Sequence, residues 1–186
     1  MPRYLIVHDY GMGGVWSWVR AGSAEEVLDA CAEVEVVTDP EVVARMEASD
    51  RMEEADLDDP APGSLVAALR AKRDAYRHLP GYGELAGRDR VHLRWDEQED
   101  GEEESVFLVE LGPDGRQLRN VEILPDGGKT RRYMADWPIN PPTDLYDPKY
   151  LAMLIGAEEF EAAWRSARTE PDFEPPDERE PGTGED

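Results

Sequence analysis

The sequence is short of cysteine and of long apolar runs, and each shortage narrows what the protein can be. Cys31 is the single cysteine, so the chain has no internal disulfide to stabilise it. It falls within a predicted amphipathic helix, where a buried and unreactive thiol is expected. The sequence has no run of about 18 apolar residues, and its first residues lack the apolar stretch and cleavage site of a signal peptide. We therefore expect a cytoplasmic protein that does not associate with membranes.

Basic residues are also scarce. The chain has 20 Lys and Arg against 43 Asp and Glu, which gives a formal net charge of -23 at pH 7. Residues 96–104 contain seven acids and no base, residues 169–186 contain eight acids and one base, and the other 159 residues carry only -9. We predict an acidic loop in the first stretch and a disordered acidic tail in the second. Nucleic acid binding is not expected, because phosphate binding depends on Lys and Arg.

The spacing of apolar and turn residues predicts an α+β fold that begins with an N-terminal ββαβα module over residues 1–49. Ser23 and Glu26 match a capping box that begins the first helix, while Asp39 and Pro40 begin the second. The predicted strands cover residues 3–8, 15–21 and 34–37, and the predicted helices cover residues 24–32 and 39–48.

A linker and a helix are predicted after this module. Residues 50–63 are rich in Asp, Glu and Pro, a composition typical of an acidic linker. A helix and a connector are predicted over residues 64–89, the helix ending near residue 79. Its apolar spacing places four residues on the inward face, namely Leu65, Ala68, Leu69 and Tyr76.

The C-terminal module, residues 90–168, is predicted to be an antiparallel β-meander with a closing helix. Turns rich in Gly, Pro and Asp separate runs of strand-forming residues, which is typical of consecutive hairpins. Phe160 and Trp164 lie one turn apart on the closing helix. The predicted strands cover residues 90–95, 106–111, 117–124 and 130–134, and the helix covers residues 157–168.

No motif predicts a catalytic residue, a cofactor or a metal site. The glycine-rich loop at residues 9–14 resembles a phosphate-binding loop, but a strand and not a helix is predicted to follow it, so we interpret it as a turn. The histidines His8, His78 and His92 have no second ligand at zinc-binding spacing. Adjacent His8 and Asp9 point to opposite sides of a strand, which argues against an acid–base pair.

Two tryptophans in the second strand leave two interpretations open. Trp16 and Trp18 alternate with Ser17 and therefore share one face of the strand. They either pack beneath the helices or form an exposed aromatic patch that anchors a partner.

One part of the chain resembles a known family. Five segments carry the resemblance: residues 106–111, residues 114–116, residues 119–124, residues 126–127 and residues 157–165. With these, residues 92–168 are similar to a bacterial, actinobacterial domain family of unknown function whose members look like proteins met near toxin-immunity loci. The excess of Arg over Lys is typical of the same high-GC bacteria. The resemblance implies an immunity-type protein and supplies no catalytic residues.

These observations lead to three hypotheses about function. The first is a non-enzymatic, immunity-like module that binds a basic protein partner. The second is a small-molecule binder or an uncatalogued enzyme that uses the loop at residues 9–14 with Trp16 and Trp18. The third is a DNA mimic, in which carboxylates imitate phosphates. The first hypothesis assigns binding to the acidic loop, with Asp96, Glu97, Glu99, Asp100, Glu102, Glu103 and Glu104 as the candidate residues.

Overall fold

The structure is a computed structural model that describes residues 1–9, 13–49, 52–97, 105–134, 137 and 139–169. It has the predicted α+β fold, with two separate sheets. The chain divides into two compact units. Unit 1 consists of Met1–Glu84 and Pro141–Pro148, and unit 2 consists of Leu85–Asn140 and Lys149–Asp186. Within the described residues, no helix has both the length and the apolar character needed to cross a bilayer.

Unit 1 is a four-stranded sheet with three helices. The strands are β1 (Arg3–Asp9), β2 (Gly14–Arg20), β3 (Glu35–Val37) and β4 (Glu54–Asp56), in the sheet order β3-β1-β2-β4. β1 pairs antiparallel with β2 and with β3, whereas β2 and β4 run parallel. The helices are α1 (Ala24–Ala30), α2 (Pro40–Glu47) and α3 (Leu65–Arg77). The predicted ββαβα order of the N-terminal module is confirmed.

Local capping explains where the three helices begin. The side chain of Ser23 accepts a hydrogen bond from the Glu26 amide, and the side chain of Asp39 accepts from the amides of Glu41 and Val42. Ser64 accepts in the same way from the Ala67 amide. Each cap satisfies amides that have no partner within the helix, so these starting points follow from a few neighbouring residues.

Alternation along the β1–β2 hairpin determines which side chains form the core of unit 1. Ile6 lies opposite Ser17, and Ile6 and Val19 belong to a buried apolar cluster that includes Val27 of α1 and Leu69 of α3. Because neighbouring strand residues point to opposite faces, the next side chains along each strand lie on the other side of the sheet. The removal of this apolar surface from water is the main stabilising contribution.

β4 corrects the interpretation of residues 50–63 as a linker. Ala55 and Leu57 are 6% and 2% exposed and belong to the buried cluster of unit 1. The Trp18 amide donates to the Glu53 carbonyl, and the Leu57 amide donates to the Arg20 carbonyl. The open edge of β2 supplies these hydrogen bonds, so an Asp- and Glu-rich segment forms a strand that its composition does not predict.

The buried face of α3 also differs from the prediction. Val66, Leu69 and Arg73 are buried, while Ala68 is exposed. Arg73 falls on this face at helical spacing, but a charged side chain is not expected inside a protein unless it has a partner. Its partners lie far away in the sequence.

Unit 2 is the predicted β-meander with a closing helix. Its strands are β5 (Val91–Glu97), β6 (Ser105–Leu111), β7 (Gln117–Ile123), β8 (Lys129–Tyr133) and β9 (Arg168–Thr169), in sheet order β5 to β9. β5 to β8 pair antiparallel, and β9 adds to β8 in parallel. The closing helix α4 (Ala157–Ser166) follows a 3-10 helix over Pro148–Met153.

The apolar stripe of α4 holds the helix against the meander. Phe160 and Trp164 are 0% and 6% exposed and pack with Leu108 of β6 and Val121 of β7. The predicted pair at one-turn spacing is thus confirmed as core. The helix is two residues shorter than predicted, because Ala167 ends it in an extended conformation and β9 begins directly afterwards.

Candidate functional site

The acidic loop lies mostly outside the described residues. β5 ends with Asp96 and Glu97, and β6 resumes at Ser105, so the loop connects two paired strands. The side chain of Asp96 is 64% exposed, and its Oδ1 lies 3.1 Å from Nε of Arg94. The structure places Asp96 and the backbone of Glu97. Of the other candidates, Glu99, Asp100, Glu102, Glu103 and Glu104 lie outside the described ranges.

The burial of Trp18 favours the first of the two interpretations of the tryptophan pair, in which the rings are packed. Trp18 is 5% exposed and lies opposite Leu5, which is 1% exposed. The guanidinium carbon of Arg3 lies 4.3 Å from the centroid of the Trp18 ring, a cation–π contact. Trp16 is half-buried. Trp18 is therefore a packed residue, which counts against the hypothesis of a ligand site built on both tryptophans.

The loop at residues 9–14 is only partly described. Asp9 and Gly14 lie opposite each other at the end of the hairpin, and residues 10–12 fall outside the described ranges. A Cβ atom at Gly14 would lie 2.6 Å from Cγ2 of Val7, closer than such atoms approach. Gly14 is thus required by a close approach to a neighbouring side chain, which agrees with the interpretation of this loop as a turn.

A buried ion pair in unit 1 was not predicted from the sequence. Arg73 Nη1 lies 3.1 Å from Asp144 Oδ1, and the two side chains are 3% and 5% exposed. Arg73 Nη2 donates to the carbonyls of Leu28 and Cys31 at 3.0 and 2.8 Å, near the C-terminal end of α1. Helix carbonyls at this end lack intrahelical partners and attract a cation. We use the name Arg73 cluster for Arg73, Asp144, Glu33 and the carbonyls of Leu28 and Cys31.

Glu33 supplies the second partner of Asp144. The Glu33 amide donates to Asp144 Oδ2 at 2.9 Å, while the Glu33 carbonyl lies 2.8 Å from Nδ1 of His8. The Glu33 carboxylate binds Nζ of Lys72 at 2.6 Å. Glu33 is the only non-glycine with positive φ among the described residues, at 52°, a conformation that costs an L-residue about 1–2 kcal/mol. Its strained backbone therefore makes two polar contacts, and its side chain makes a third.

Aromatic side chains complete the Arg73 cluster. The guanidinium carbon of Arg73 lies 4.5 Å from the Tyr146 ring centroid, and the rings of Tyr82 and Tyr146 are 5.7 Å apart. The hydroxyl of Tyr76 donates to Glu33 Oε1 at 3.4 Å. Burial, with the negative charges of Asp147 and Glu33, raises the pKa of Tyr76 well above its usual value. A phenol that holds its proton so firmly is a hydrogen-bond donor and not a general base.

The thiol of Cys31, whose backbone carbonyl accepts from Arg73, is unreactive. Its side chain is buried, and burial raises the pKa of the thiol to about 11. Because the thiolate is the reactive form, the thiol is unreactive at neutral pH.

Unit 2 contains a second charge network, centred on Glu110. His92, Glu110 and Arg119 lie opposite one another on β5, β6 and β7. Arg119 Nε lies 2.5 Å from Glu110 Oε2, and Arg119 Nη2 lies 2.6 Å from Glu161 Oε1 of α4. The guanidinium also lies 5.0 Å from the Phe160 ring centroid. This network connects the sheet to the closing helix.

The surroundings of this network shift two pKa values in the same direction. Burial lowers the pKa of His92, and Arg119 adds to the effect, although Glu110 at 3.6 Å opposes it. Burial by itself raises the pKa of Glu110, but the hydrogen bond and charge of Arg119 outweigh it and hold this pKa below its usual value. His92 is therefore neutral and Glu110 ionised near neutral pH, with both groups engaged in packing.

Over the full sequence the two units have similar net charges, with 19 acids and 8 bases in unit 1 and 24 acids and 12 bases in unit 2, because the acidic loop and the tail both belong to unit 2. Among the described residues, however, acidity is distributed unequally. The described residues of unit 1 include eighteen acids and seven bases, whereas those of unit 2 include ten acids and eleven bases. On α1, Glu25, Glu26 and Asp29 are all exposed, and no base lies in its last turn. The expectation that charge resides mainly in the loop and the tail is therefore incomplete, because unit 1 is itself strongly acidic.

Two apolar side chains of unit 2, Trp137 and Ile139, are 43% and 71% exposed. Asn140, next to Ile139, is held in place, since its Nδ2 donates to the carbonyls of Gln117 and Met134 and its Oδ1 accepts from the Gln117 amide. Exposed aromatic side chains are typical anchors in protein interfaces.

Neither metal-binding groups nor known relatives identify a site. Among the described residues, no group of three or more His, Cys, Asp or Glu side chains could hold a metal ion. Comparison with protein-family models, curated proteins and solved structures finds no match to this chain. The residues that sequence reasoning missed, Arg73 and Asp144, are 71 positions apart, and the only local signal was a charge on an otherwise apolar helix face.

Proposed function

We propose that the protein is a non-enzymatic, immunity-like module that binds a basic protein partner through exposed carboxylates, with the acidic loop of unit 2 and helix α1 of unit 1 as separate contact regions. The observation that carries the proposal is the excess of acids over bases in unit 1, whose described residues include eighteen acids and seven bases, together with the seven acids of residues 96–104 in unit 2. Such a one-sided field attracts a cationic surface and accelerates its encounter with unit 1.

Exposed carboxylates on helix α1 form the proposed contact region of unit 1. Glu25, Glu26 and Asp29 occupy two turns of one short helix, and Asp29 alone has a described ion pair with a base, Arg77. Asp96, at the end of β5, extends the same chemistry to the acidic loop. A partner rich in Arg would meet carboxylates in the geometry that Arg recognises best.

The buried ionisable groups support a binding role over a catalytic one. Arg73 is paired with Asp144, and Arg119 is paired with Glu110 and Glu161. Each of these pairs joins separate segments of the fold. Within the described residues, these paired charged groups are thus engaged in structure, whereas a catalytic group needs access to a substrate.

A pull-down with three matched baits tests the proposal. The first bait is the natural chain, and the second replaces the seven acids of residues 96–104 with Asn or Gln. The third lacks residues 170–186 and so removes the same net charge from a different place. We expect the natural chain and the tail-deleted chain to retain a basic protein from a host lysate at low ionic strength, and the loop-neutralised chain to retain much less.

Salt dependence and a helix variant sharpen this experiment. Retention should weaken at high ionic strength, because exposed charges are screened beyond about 8–10 Å at physiological salt. Replacing Glu25, Glu26 and Asp29 with Gln and Asn should lower retention further. Equal retention by all baits, or no specifically retained protein, would contradict the proposal.

The immunity aspect and the location of the protein have tests of their own. If the partner is a toxin, its gene should lie beside that of the protein, and co-expression of the two should restore growth. Cell fractionation checks the cytoplasmic location that the proposal includes. DNA mimicry stays a prediction, since many of the acids it needs lie in residues 98–104 and 170–186, outside the described ranges.

A further inference from the structure

We infer that unit 1 contains a recognition site for a short Asp-x-Tyr peptide, and that residues 141–148 occupy it as an internal, exchangeable ligand. We call residues 141–148 the strap. The chain leaves unit 2 after Asn140, contributes the strap to unit 1, and continues in unit 2 from Lys149. The inference is independent of the proposed basic partner, because it concerns a different ligand and a different set of contacts.

The site recognises two residues of the strap, and the first of these is Asp144, which is bound through its carboxylate. One oxygen receives a hydrogen bond from Arg73 Nη1 at 3.1 Å, and the other receives the Glu33 amide at 2.9 Å. The two donors come from α3 and from the segment between α1 and β3, so neither element alone forms the site. Arg73 is itself held by the carbonyls of Leu28 and Cys31, which orients the guanidinium independently of the strap.

The second strap residue that the site recognises is Tyr146, which is bound through its aromatic ring. Its ring contacts the Arg73 guanidinium at 4.5 Å and the Tyr82 ring at 5.7 Å. Its carbonyl accepts from the Gly83 amide at 3.2 Å. Gly83 has φ of 70°, a left-handed conformation that favours glycine, and it lies in ordinary van der Waals contact with the Tyr146 ring.

The strap resembles a bound peptide more than a piece of the core. The buried apolar cluster of unit 1 runs from Ile6 to Leu69 and includes no strap residue. Residues 141–147 form neither a strand nor a helix. The strap is held by the Asp144 carboxylate and the Tyr146 ring, and its Leu145 and Asp147 side chains are also buried, at 6% and 3% exposed. Carboxylate and aromatic contacts of this kind give sequence-specific peptide recognition. An exchangeable strap requires that the cluster from Ile6 to Leu69, which contains no strap residue, stay intact when the strap leaves.

Native-state hydrogen exchange on the full chain tests whether the strap detaches. The Glu33 and Gly83 amides donate to the strap, whereas the Ala32 and Leu57 amides donate within the core of unit 1. We expect Glu33 and Gly83 to exchange through a partial opening that precedes the unfolding of the other two amides. If all four amides exchange only through one common unfolding event, the inference is wrong.

Binding of a synthetic peptide in trans tests whether the site is a recognition site. The probe is a labelled peptide of residues 141–148, measured by fluorescence anisotropy against the full chain carrying Asp144→Asn and Tyr146→Ala. The double variant should bind the peptide at least about tenfold more tightly than the natural chain, whose site is occupied. A peptide with Asn in place of Asp144 is the matched control and should bind about tenfold more weakly.

Each outcome of the peptide experiment decides the question. A folded double variant that binds no better than the natural chain, or that binds both peptides equally, would overturn the inference. A double variant that fails to fold would also overturn it, because the strap would then be an obligatory part of the folding unit. Far-UV circular dichroism and protection of the Cys31 thiol report whether unit 1 is folded.

Discussion

Arg73 and Asp144 form an ion pair whose side chains are 3% and 5% exposed, although 71 positions separate them in the sequence. Taking two charges out of water is costly, so the pair depends on further hydrogen bonds to both groups, although Nε of Arg73 is buried without a hydrogen-bond partner among the described residues. The Leu28 and Cys31 carbonyls and the Glu33 amide supply these bonds. Loss of either partner leaves a buried charge without its counter-ion.

Asp144→Asn should lower the free energy of unfolding by about 3 kcal/mol, because Arg73 stays buried without an opposite charge. Asp29→Asn is the matched control, since Asp29 pairs with Arg77 one turn further along α3 while the two side chains are 59% and 38% exposed. That exposed pair should contribute less than about 1 kcal/mol. Urea denaturation measures both variants, and equal losses would contradict the assignment of a buried pair.

Glu33→Gly should be more stable than Glu33→Ala by about 1 kcal/mol. Both variants lose the contacts of the Glu33 carboxylate with Lys72 and Tyr76 and keep the amide that binds Asp144. They differ in the cost of a φ of 52°, which glycine adopts without strain. Thermal unfolding measures the stability of the two variants. A more stable alanine variant would show that the positive φ at position 33 carries no strain.

Trp18→Ala should destabilise the protein by about 3–5 kcal/mol, since it removes a large side chain that is 5% exposed. Trp137→Ala removes a tryptophan that is 43% exposed and should change stability by less than about 0.5 kcal/mol. If Trp137 anchors a partner, Trp137→Ala should lower the amount of partner retained in the pull-down. Denaturation midpoints and retention of the partner separate the two roles.

His92 should make stability depend on pH. Burial lowers its pKa in the folded state, so the unfolded chain binds the proton more readily. Its stabilising contribution is therefore complete above the unfolded pKa of about 6.5 and declines as the pH falls through that value towards the folded pKa. The groups facing the imidazole are Glu110 and, through it, Arg119 and Arg90, with Glu161 on α4.

Replacement of His92 isolates this contribution. His92→Asn should flatten the stability profile between neutral pH and about pH 5.5, while His78→Asn at the exposed end of α3 serves as the substitution control. Below this range the lowered pKa of Glu110 takes over, since its stabilisation is present above the unfolded value and is lost on protonation. A His92→Asn profile identical to that of the natural chain would contradict the burial of a neutral imidazole.

Cys31 should react with a thiol reagent only when unit 1 opens. The side chain is 0% exposed and burial raises the pKa of the thiol to about 11, so little thiolate exists at neutral pH. The labelling rate should rise by orders of magnitude in denaturant, and the single cysteine makes the signal unambiguous. Fast labelling under native conditions would show that the thiol is accessible.

Local sequence patterns predicted the elements whose causes are local. Ser23 and Asp39 begin their helices by capping amides within three residues, and turn residues separate the strands of the meander. The spacing of Phe160 and Trp164 predicted the inward face of α4. In each case the physical determinant lies within one or two turns of the residue it controls.

Other features depend on partners that a local pattern does not contain. β4 forms because the edge of β2 offers hydrogen bonds to residues 53–57, whose composition is typical of a linker. Trp18 is buried because β1 places Leu5 opposite it, and no property of β2 alone distinguishes its two faces.

The sequence by itself determined the α+β class, the order of most elements and the total acidity of the chain, since these follow from composition and short-range periodicity. Only the tertiary structure decided that unit 1 holds most of the acidity outside the loop and the tail, that Arg73 is buried and that the strap packs against it. The physical reason is that a buried charge needs specific partners, and those partners, Asp144, Glu33 and the carbonyls after α1, come together only when distant segments pack.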